Sequence, residues 1–232
     1  MGELVSYRLA DAVATITMDD GKVNALSLQM LGELNAALDR AEADQAVVVL
    51  TGREGRFSAG FDLAVLRAGG TDSLDMLRAG FELAARLLAF PMPVVIACPG
   101  HAIAMGVFVV LSGDYRIGAA GAFKITANEV AIGLPMPGAA VEICRQRLAP
   151  AHFNRAVILA EVYSPDDAVA AGFLDRVVPA DQLPAAAHDT ALELAKLNMN
   201  AHAASKLTAR KPALDAIRAA IDADDGALRF ST

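Results

Sequence analysis

The sequence lacks the features that mark several large classes of protein. Its apolar run at 103–111 is too short to span a bilayer, and Asp114 and Arg116 follow soon after it. The net charge is −7 and there is no run of lysine and arginine, so the electrostatics do not support nucleic-acid binding. The only cysteines, Cys98 and Cys144, lie in apolar segments, and we expect two buried free thiols.

Several catalytic motifs are also missing. The sequence has no GxSxG nucleophile turn, no phosphate-binding Walker loop, and no HExxH or paired-cysteine spacing for a metal. The four histidines, His101, His152, His188 and His202, stand in unrelated contexts. We therefore expect no bound metal and no separate cofactor, and we expect the chemistry to come from carboxylates or main-chain groups.

The composition is typical of one folded domain. The chain has 232 residues, of which 55% are apolar and 20% are charged, and it is long enough to bury a substantial core. Residues 1–13 carry polar and acidic side chains and lack the apolar region of a secretory signal. We expect a cytoplasmic protein.

Strand and helix patterns alternate through the first three-quarters of the chain. The predicted elements are strands at 5–9 and 13–18, a helix from the N-cap Ser27 to about 43, a strand at 47–51, a loop at 52–63, a helix at about 73–90, a strand at 93–98, a helix at about 105–112, and strands at 115–119 and 122–125. Beyond residue 138 the pattern is mostly helical, with one short strand at 174–178. This order predicts an α/β fold with a core at 1–178 and a C-terminal helical segment at 179–232.

Two glycine-bearing segments follow predicted buried strands. The first, at 57–63, is FSAGFDL, and the second, at 100–106, is GHAIAMG. Small residues let a ligand approach the main chain, and a helix that begins near Met105 offers unpaired N–H groups. Two such amides aimed at one oxygen would form an oxyanion hole. The spacing alone is a weak signal, because glycine-rich turns after strands are common.

The order of these motifs resembles the enoyl-CoA hydratase/isomerase (crotonase) superfamily. The matching segments are VNALS at 23–27, FSAGFDL at 57–63, PVVIA at 93–97, GHAIAMGVFVVLSGDYRI at 100–117, the acidic segment at 122–134 and AAGFLDRVVP at 170–179. In that family the first of these lies near bound CoA, FSAGFDL and GHAIAMG are the two oxyanion segments, and the acidic segment is catalytic. The resemblance covers nearly the whole chain, in order.

The resemblance implies a fold, a ligand and a set of site residues. The fold is a spiral of ββα units whose C-terminal helices take part in trimer formation, so we expect a homotrimer or a dimer of trimers. The substrate is an acyl-CoA thioester, with coenzyme A as part of it. By position, the oxyanion donors are the amides of Ala59 and Met105, and Glu129 is the catalytic acid/base. The residues expected around the substrate are Asn24, Ala25, Leu26, Ser58, Gly60, Phe61, Asp62, Leu63, Ile103, Gly106, Phe108 and Asn128, with Asp62 expected to stabilise a turn.

The resemblance also bears on the reaction. Hydratases of the family use two glutamates, one of them three residues after the second oxyanion amide, and that position is Phe108 here. The other glutamate is kept as Glu129. A single carboxylate beside an oxyanion hole suits allylic proton transfer, as in the Δ3,Δ2-enoyl-CoA isomerases, which share FSAG-x-DL and an Asn-Glu pair like Asn128-Glu129. The apolar residues at 130–132 are expected to raise the pKa of Glu129.

Other functions stay open at this point. A hydratase in which another residue replaces the missing acid would add water to crotonyl-CoA. A protein that binds acyl-CoA without turnover is also open, because the usual glycine triplet is altered to Ala104-Met105-Gly106. A serine protease on a related spiral would need a serine and base in register, and none stands at the matching positions. Asn128 could orient Glu129 or cap a turn, and acyl chain length is not readable.

Overall fold

The computed structural model describes residues 2–229, and side chains as far as residue 223. Its strands are β1 (Val5–Ala10), β2 (Val13–Met18), β3 (Val47–Thr51), β4 (Gly55–Ser58), β5 (Val94–Cys98), β6 (Gly100–Ile103), β7 (Tyr115–Ala119), β8 (Ile125–Thr126) and β9 (Arg176–Val178). Its α-helices are α1 (Leu28–Ala43), α2 (Leu63–Ala68), α3 (Gly70–Ala89), α4 (Met105–Leu111), α5 (Gly138–Arg145), α6 (Pro150–Val157), α7 (Pro165–Ala171), α8 (Leu183–Leu194) and α9 (Met199–Arg229). Short 3-10 helices lie at Val130–Ile132 and Ala180–Gln182.

The larger sheet contains six strands in the order β1-β2-β3-β5-β7-β9. Strands β1 and β2 form the expected antiparallel hairpin, and the remaining pairs are parallel. The hairpin turns at Asp11 and Ala12, both with positive φ, which matches the right-handed twist of the strands. The central strands β3 and β5 are apolar and almost entirely buried, because helices cover both faces of a parallel sheet.

A second sheet of three parallel strands, β4-β6-β8, explains how the chain winds. Each of β3, β5 and β7 in the larger sheet is followed along the chain by one strand of the smaller sheet. Helices then lead back to the next strand of the larger sheet. This repeat confirms the spiral of ββα units that the sequence resemblance implies.

The smaller sheet also corrects the predicted elements. Residues 52–63 were expected to be loop but contain β4, and β6 was not predicted between the strand at 93–98 and the helix at Met105. Gly52 and Gly100 mark the bends between the sheets: a Cβ on Gly52 would lie 2.2 Å from the carbonyl oxygen of Arg56, and one on Gly100 would lie 2.0 Å from the carbonyl carbon of Gly55. These glycines look like turn signals in sequence, whereas the strands beside them form only through pairing with distant residues.

Most other boundaries agree with the sequence-based expectations. Ser27 caps α1, with its hydroxyl accepting a hydrogen bond from the amide of Met30 at 3.2 Å. Cys98 and Cys144 are buried and free, as expected. The strand predicted at 122–125 is shifted to β8, the one at 174–178 is shortened to β9, and α2 was not predicted. Helix α3 begins at residue 70, earlier than expected, because the paired glycines Gly69 and Gly70 start it after a positive-φ turn.

The two C-terminal helices cover different parts of the core. Helix α8 packs on the outer face of the larger sheet, where Leu183, Ala187 and Ala191 contact the valines of the central strands. Helix α9 packs against α3 and α5. The division at residue 178 stays a prediction, and residues 230–232 of that segment lie outside the described residues. No helix in the described part of the chain is long and apolar enough to cross a membrane.

Candidate active site

The segment at 24–26 holds the first glycine-bearing loop in place. The Asn24 side chain donates to the carbonyls of Met18 at 3.0 Å and Phe57 at 3.1 Å, and its Oδ1 accepts from the amide of Asp20 at 3.0 Å. The Ser58 hydroxyl donates to the Asn24 carbonyl at 2.7 Å. The Leu26 amide donates to the carbonyl of Gly60 at 2.8 Å.

Several residues that were predicted to bind substrate instead hold the loop in place through these hydrogen bonds. Asn24, Leu26 and Ser58 are fully buried. The amide of Ala25 donates to a carboxylate oxygen of Asp20 at 2.9 Å. None of the four contributes to the cavity described below, so the structure places them behind the loop, where they fix its shape.

The two glycine-bearing segments meet, as the oxyanion interpretation requires. A Cβ on Gly60 would lie 2.8 Å from the Cβ of Ala104 and 3.2 Å from the amide nitrogen of Met105. A Cβ on Gly106 would lie 2.5 Å from the carbonyl oxygen of Ser58. Gly60 also has a φ of 90°, which L side chains rarely adopt. Both glycines are therefore required for the close approach of the two main chains.

The hydrogen bonds correct one of the two predicted oxyanion donors. The amide of Ala59 donates to the carbonyl of Val23 at 3.0 Å, so it is not available to a ligand. The next amide, of Gly60, donates to the Ser58 hydroxyl at 3.1 Å. By contrast, the amides of Phe61 and Met105 donate to no acceptor within residues 2–229. The available pair is Phe61 with Met105.

A cavity of about 600 Å³ is lined by Phe61 and by Ala104, the residue that directly precedes Met105. Its walls come from both glycine-bearing segments, helices α2 and α3, the turn after β8 and helix α9. The lining residues are Ala59, Phe61, Leu63, Leu66, Ser73, Leu74, Leu77, Arg78, Phe81, Ala104, Asn128, Glu129, Ile132, Leu134, Pro135, Met136, Pro137 and Ile221. The walls are predominantly apolar, which suits an acyl chain.

Glu129 is a buried, unpaired acid in this cavity. It follows β8, is only 7% exposed, and its Oε2 has no hydrogen-bond partner in the described chain. Burial raises the pKa of Glu129 to about 7, and a hydrogen bond from its own amide offsets part of that rise. The pKa of Cys144 on α5 is raised mainly by burial and further by the charge of Glu129, so the two groups interact through the core.

The neighbours in sequence account for only part of this burial. Val130 is 43% exposed and Ile132 is 52% exposed, although Ile132 also lines the cavity. The carboxyl loses water because the cavity walls and the interior of the protein surround it. The rise in pKa was expected from the sequence, and the structure adds the distant residues that contribute to it.

Asn128 lies beside Glu129 and also lines the cavity. Its side-chain Oδ1 is buried and has no hydrogen-bond partner among the described residues. Its main-chain carbonyl accepts from the amide of Ile132 at 3.2 Å, which closes the turn after β8. The capping role thus belongs to its main chain, and the structure has no hydrogen bond from its side chain to Glu129.

Phe108 lies outside the cavity. It is 1% exposed and packs in the core against Phe81, with ring centroids 6.3 Å apart, while Phe81 itself faces the cavity. Asp62 caps α2 by accepting from the amide of Ala64 at 2.8 Å, which confirms its expected turn-stabilising role. Ile103 pairs with Thr126 in the smaller sheet and does not line the cavity.

The comparison with known families decides which group the chain belongs to. The family described as enoyl-CoA hydratase/isomerase matches residues 8–229. The chain belongs to the enoyl-CoA hydratase/isomerase family. Its fold is the crotonase fold of that family's solved structures.

The solved structures and relatives that resemble the chain carry isomerase names in some cases and hydratase names in others. A Mycobacterium tuberculosis structure named enoyl-CoA isomerase is 50% identical, with a TM-score of 0.92 and coverage of 96% of this chain and 97% of that one. A second structure of the same Mycobacterium tuberculosis protein carries the name probable enoyl-CoA hydratase; it is 48% identical, with a TM-score of 0.95 and coverage of 98% of this chain and 97% of that one. Human enoyl-CoA delta isomerase 1, mitochondrial, is 30% identical over 226 residues, which are 90% of this chain and 74% of that protein.

Much of the cavity wall was missed by reasoning from the sequence. Helix α3 faces the cavity with four side chains at helical spacing, namely Leu74, Leu77, Arg78 and Phe81. That spacing is visible in the sequence, but periodicity does not distinguish a helix face that lines a cavity from one that packs in a core. Ile221 on α9 is 140 residues from Phe81 in sequence, and no local pattern links the two.

Among the side chains of residues 2–223, His, Cys, Asp and Glu form no group of three or more that could hold a metal ion.

Proposed function

We propose that the protein isomerises 3-enoyl-CoA thioesters to trans-2-enoyl-CoA thioesters. One observation carries the proposal: among the described residues that line the cavity, Glu129 is the single carboxylate. The position at which a hydratase of this family carries its other glutamate is Phe108, buried behind Phe81. One acid/base is enough to move a proton between two carbons.

The thioester carbonyl is proposed to bind at the amides of Phe61 and Met105. Phe61 replaces Ala59 in this role because the Ala59 amide is already bonded to Val23. Both free amides belong to segments that touch at Gly60 and Ala104. As the enolate forms, negative charge moves to the carbonyl oxygen, and fixed N–H donors in a site shielded from water stabilise it; each donor typically contributes about 3–4 kcal/mol.

Glu129 is proposed to carry the proton in both steps. Its carboxylate removes a proton from C2, and the electron pair of that C–H bond joins the conjugated system of C3, C4 and the thioester. The protonated Glu129 then gives the proton to C4, so the double bond moves from C3–C4 to C2–C3. A pKa of about 7 suits this cycle, because the group must accept and return a proton at neutral pH.

Hydration is the second candidate, and the names of relatives include it. It requires water to be positioned and two protons to be managed on one face of the substrate. The cavity offers Asn128 beside Glu129, but an amide side chain does not exchange protons at neutral pH. The chemistry of the side chains in this cavity therefore favours isomerisation.

The test measures 3-hexenoyl-CoA conversion and crotonyl-CoA hydration by the wild-type protein under the same conditions. We expect conversion of 3-hexenoyl-CoA to the conjugated product, with crotonyl-CoA hydration slower by at least roughly 100-fold, the usual contribution of one catalytic acid/base. Hydration that matches or exceeds isomerisation would replace the proposal with a hydratase. Tight acyl-CoA binding with no turnover of either substrate would replace it with a binding protein.

A further inference from the structure

We propose that Arg78 and Ile221 form a partition that sets the longest acyl chain the cavity accepts. This inference rests on the proposed function in one respect, namely that the cavity beside Glu129 holds the acyl group. It goes further by assigning specificity for chain length to the contact between α3 and α9. Ile221 lies far in sequence from both glycine-bearing segments.

Two cavities meet at this contact. The cavity beside Glu129 measures about 600 Å³, and a groove of about 590 Å³ lies between α1, α3 and α9. Arg78 and Ile221 line both. They therefore stand between the two spaces, and an acyl chain that fills the first cavity would reach the second only by passing them.

The walls on the two sides of the partition differ in chemistry. On the Glu129 side, α2 and α3 contribute Leu66, Leu74 and Leu77. On the far side, charged side chains, among them Glu42, Arg86 and Arg218, interrupt an apolar lining that includes Phe90. Transfer of a methylene group from water to the leucine-lined cavity is favourable. Transfer to the groove with its charged side chains releases less free energy.

The partition is held closed by contacts across the two helices. Arg78 on α3 lies 2.8 Å from Glu82 on its own helix and 3.5 Å from Asp222 on α9. Ile221 is adjacent to Asp222 in sequence and is only 6% exposed. The Arg78–Asp222 pair thus joins α3 to α9 at the point where Ile221 fills the space between the cavities.

This arrangement predicts a break in the dependence of affinity on acyl length. Each carbon added to the acyl chain strengthens binding as long as that carbon contacts the leucines of the cavity wall. Once the chain reaches Arg78 and Ile221, further carbons must displace them or turn back toward water. Affinity is then expected to stop rising.

The test is calorimetric binding of saturated acyl-CoAs, from butyryl-CoA to palmitoyl-CoA, to the wild type and two partition variants. Ile221→Ala opens the partition from α9, and Arg78→Ala opens it from α3. We expect both to move the break to longer chains, with the affinity for palmitoyl-CoA relative to hexanoyl-CoA rising at least roughly tenfold. Using both variants keeps the test decisive if one of them fails to fold.

Two matched substitutions serve as controls. Ile217→Ala makes the same truncation one turn earlier on α9, at a buried position that lines neither cavity. Arg86→Ala removes an arginine that lines only the groove. The inference is overturned if the break stays in place in both partition variants, or if the controls shift it equally.

The outcome is separable from that of the proposed reaction. Saturated acyl-CoAs bind without any proton transfer, so a protein that isomerises nothing can still display the predicted break and its shift. Conversely, isomerisation of 3-hexenoyl-CoA with an unchanged break would support the reaction and refute the partition.

Discussion

Two acids whose side chains are largely shielded from solvent have opposite surroundings. Asp114, before β7, accepts hydrogen bonds from the amide of Val94 at 2.7 Å and from Lys206 at 2.6 Å, and it lies 2.8 Å from Arg210. Glu129, after β8, has one oxygen with no partner in the described chain. The fold therefore surrounds one carboxylate with cationic partners and leaves one oxygen of the other without a partner among the described residues.

The surroundings of Asp114 suit a role in stability, and those of Glu129 suit a role in reactivity. Lys206 and Arg210 belong to α9, so the Asp114 cluster fastens that helix to the core. Removing one partner of a buried ion pair is costly, because the other charge is left without compensation. An unpaired buried carboxyl resists ionisation, has a pKa near neutrality and can exchange a proton with a ligand. Each of the following predictions changes one side of this contrast.

The largest expected effect is the loss of activity in Glu129→Gln. The amide keeps the shape of the side chain but accepts no proton, so isomerisation of 3-hexenoyl-CoA should fall by roughly 10²–10⁴-fold. The matched control is Glu142→Gln on α5, whose side chain pairs with Arg145 and does not line the cavity. Full activity in Glu129→Gln, or an equal loss in both variants, would remove Glu129 from the mechanism.

The second effect is a loss of stability in Asp114→Asn. The substitution leaves the ammonium group of Lys206, whose side chain is 3% exposed, without its counter-charge. We expect the free energy of unfolding to fall by about 3–5 kcal/mol, measured by urea denaturation. Asp215→Asn removes the partner of Lys211 in an exposed pair and should cost at most about 0.5 kcal/mol. Equal costs at the two sites would mean that burial of the Asp114 pair is unimportant.

The third effect has the opposite sign: Glu129→Gln should be more stable than the wild type above neutral pH. The folded-state pKa of Glu129, about 7, lies above its ordinary value of 4.5. Between these values the unfolded chain has released the proton while the folded protein keeps it, so wild-type stability falls as pH rises through this window. The variant avoids that loss.

The expected gain of the variant is about 3 kcal/mol at pH 8 and close to zero at pH 4. Urea denaturation of both proteins at the two pH values measures it. A gain that is the same at both pH values would indicate a packing effect instead of a titration.

The residue patterns alone predicted an α/β fold with a C-terminal helical segment. The spiral of ββα units and the choice of Glu129 came from the resemblance of the ordered motifs to a known family. The smaller sheet was missed because β4 and β6 pair only with distant strands, and their glycines resemble ordinary turns. The family match agrees with the resemblance from which the spiral fold was expected.

The finer geometry of the site required coordinates. Which amide remains free depends on the turn at Ser58 and Gly60 and on a bond from Ala59 to Val23, none of which leaves a mark in the sequence. The wall formed by Ile221 depends on how α9 crosses α3. The assembly expected from the resemblance, a trimer or a dimer of trimers, stays a prediction.

The central claim is that Glu129 is a buried base with a pKa near neutrality, and its titration tests this claim most directly. Infrared difference spectra of the wild type minus Glu129→Gln, recorded from pH 4 to pH 9, isolate the carboxyl band of this one residue. The account predicts that the protonated band disappears with a midpoint of about 7. A midpoint near 4.5 would show an ordinary, solvated carboxylate and would contradict it.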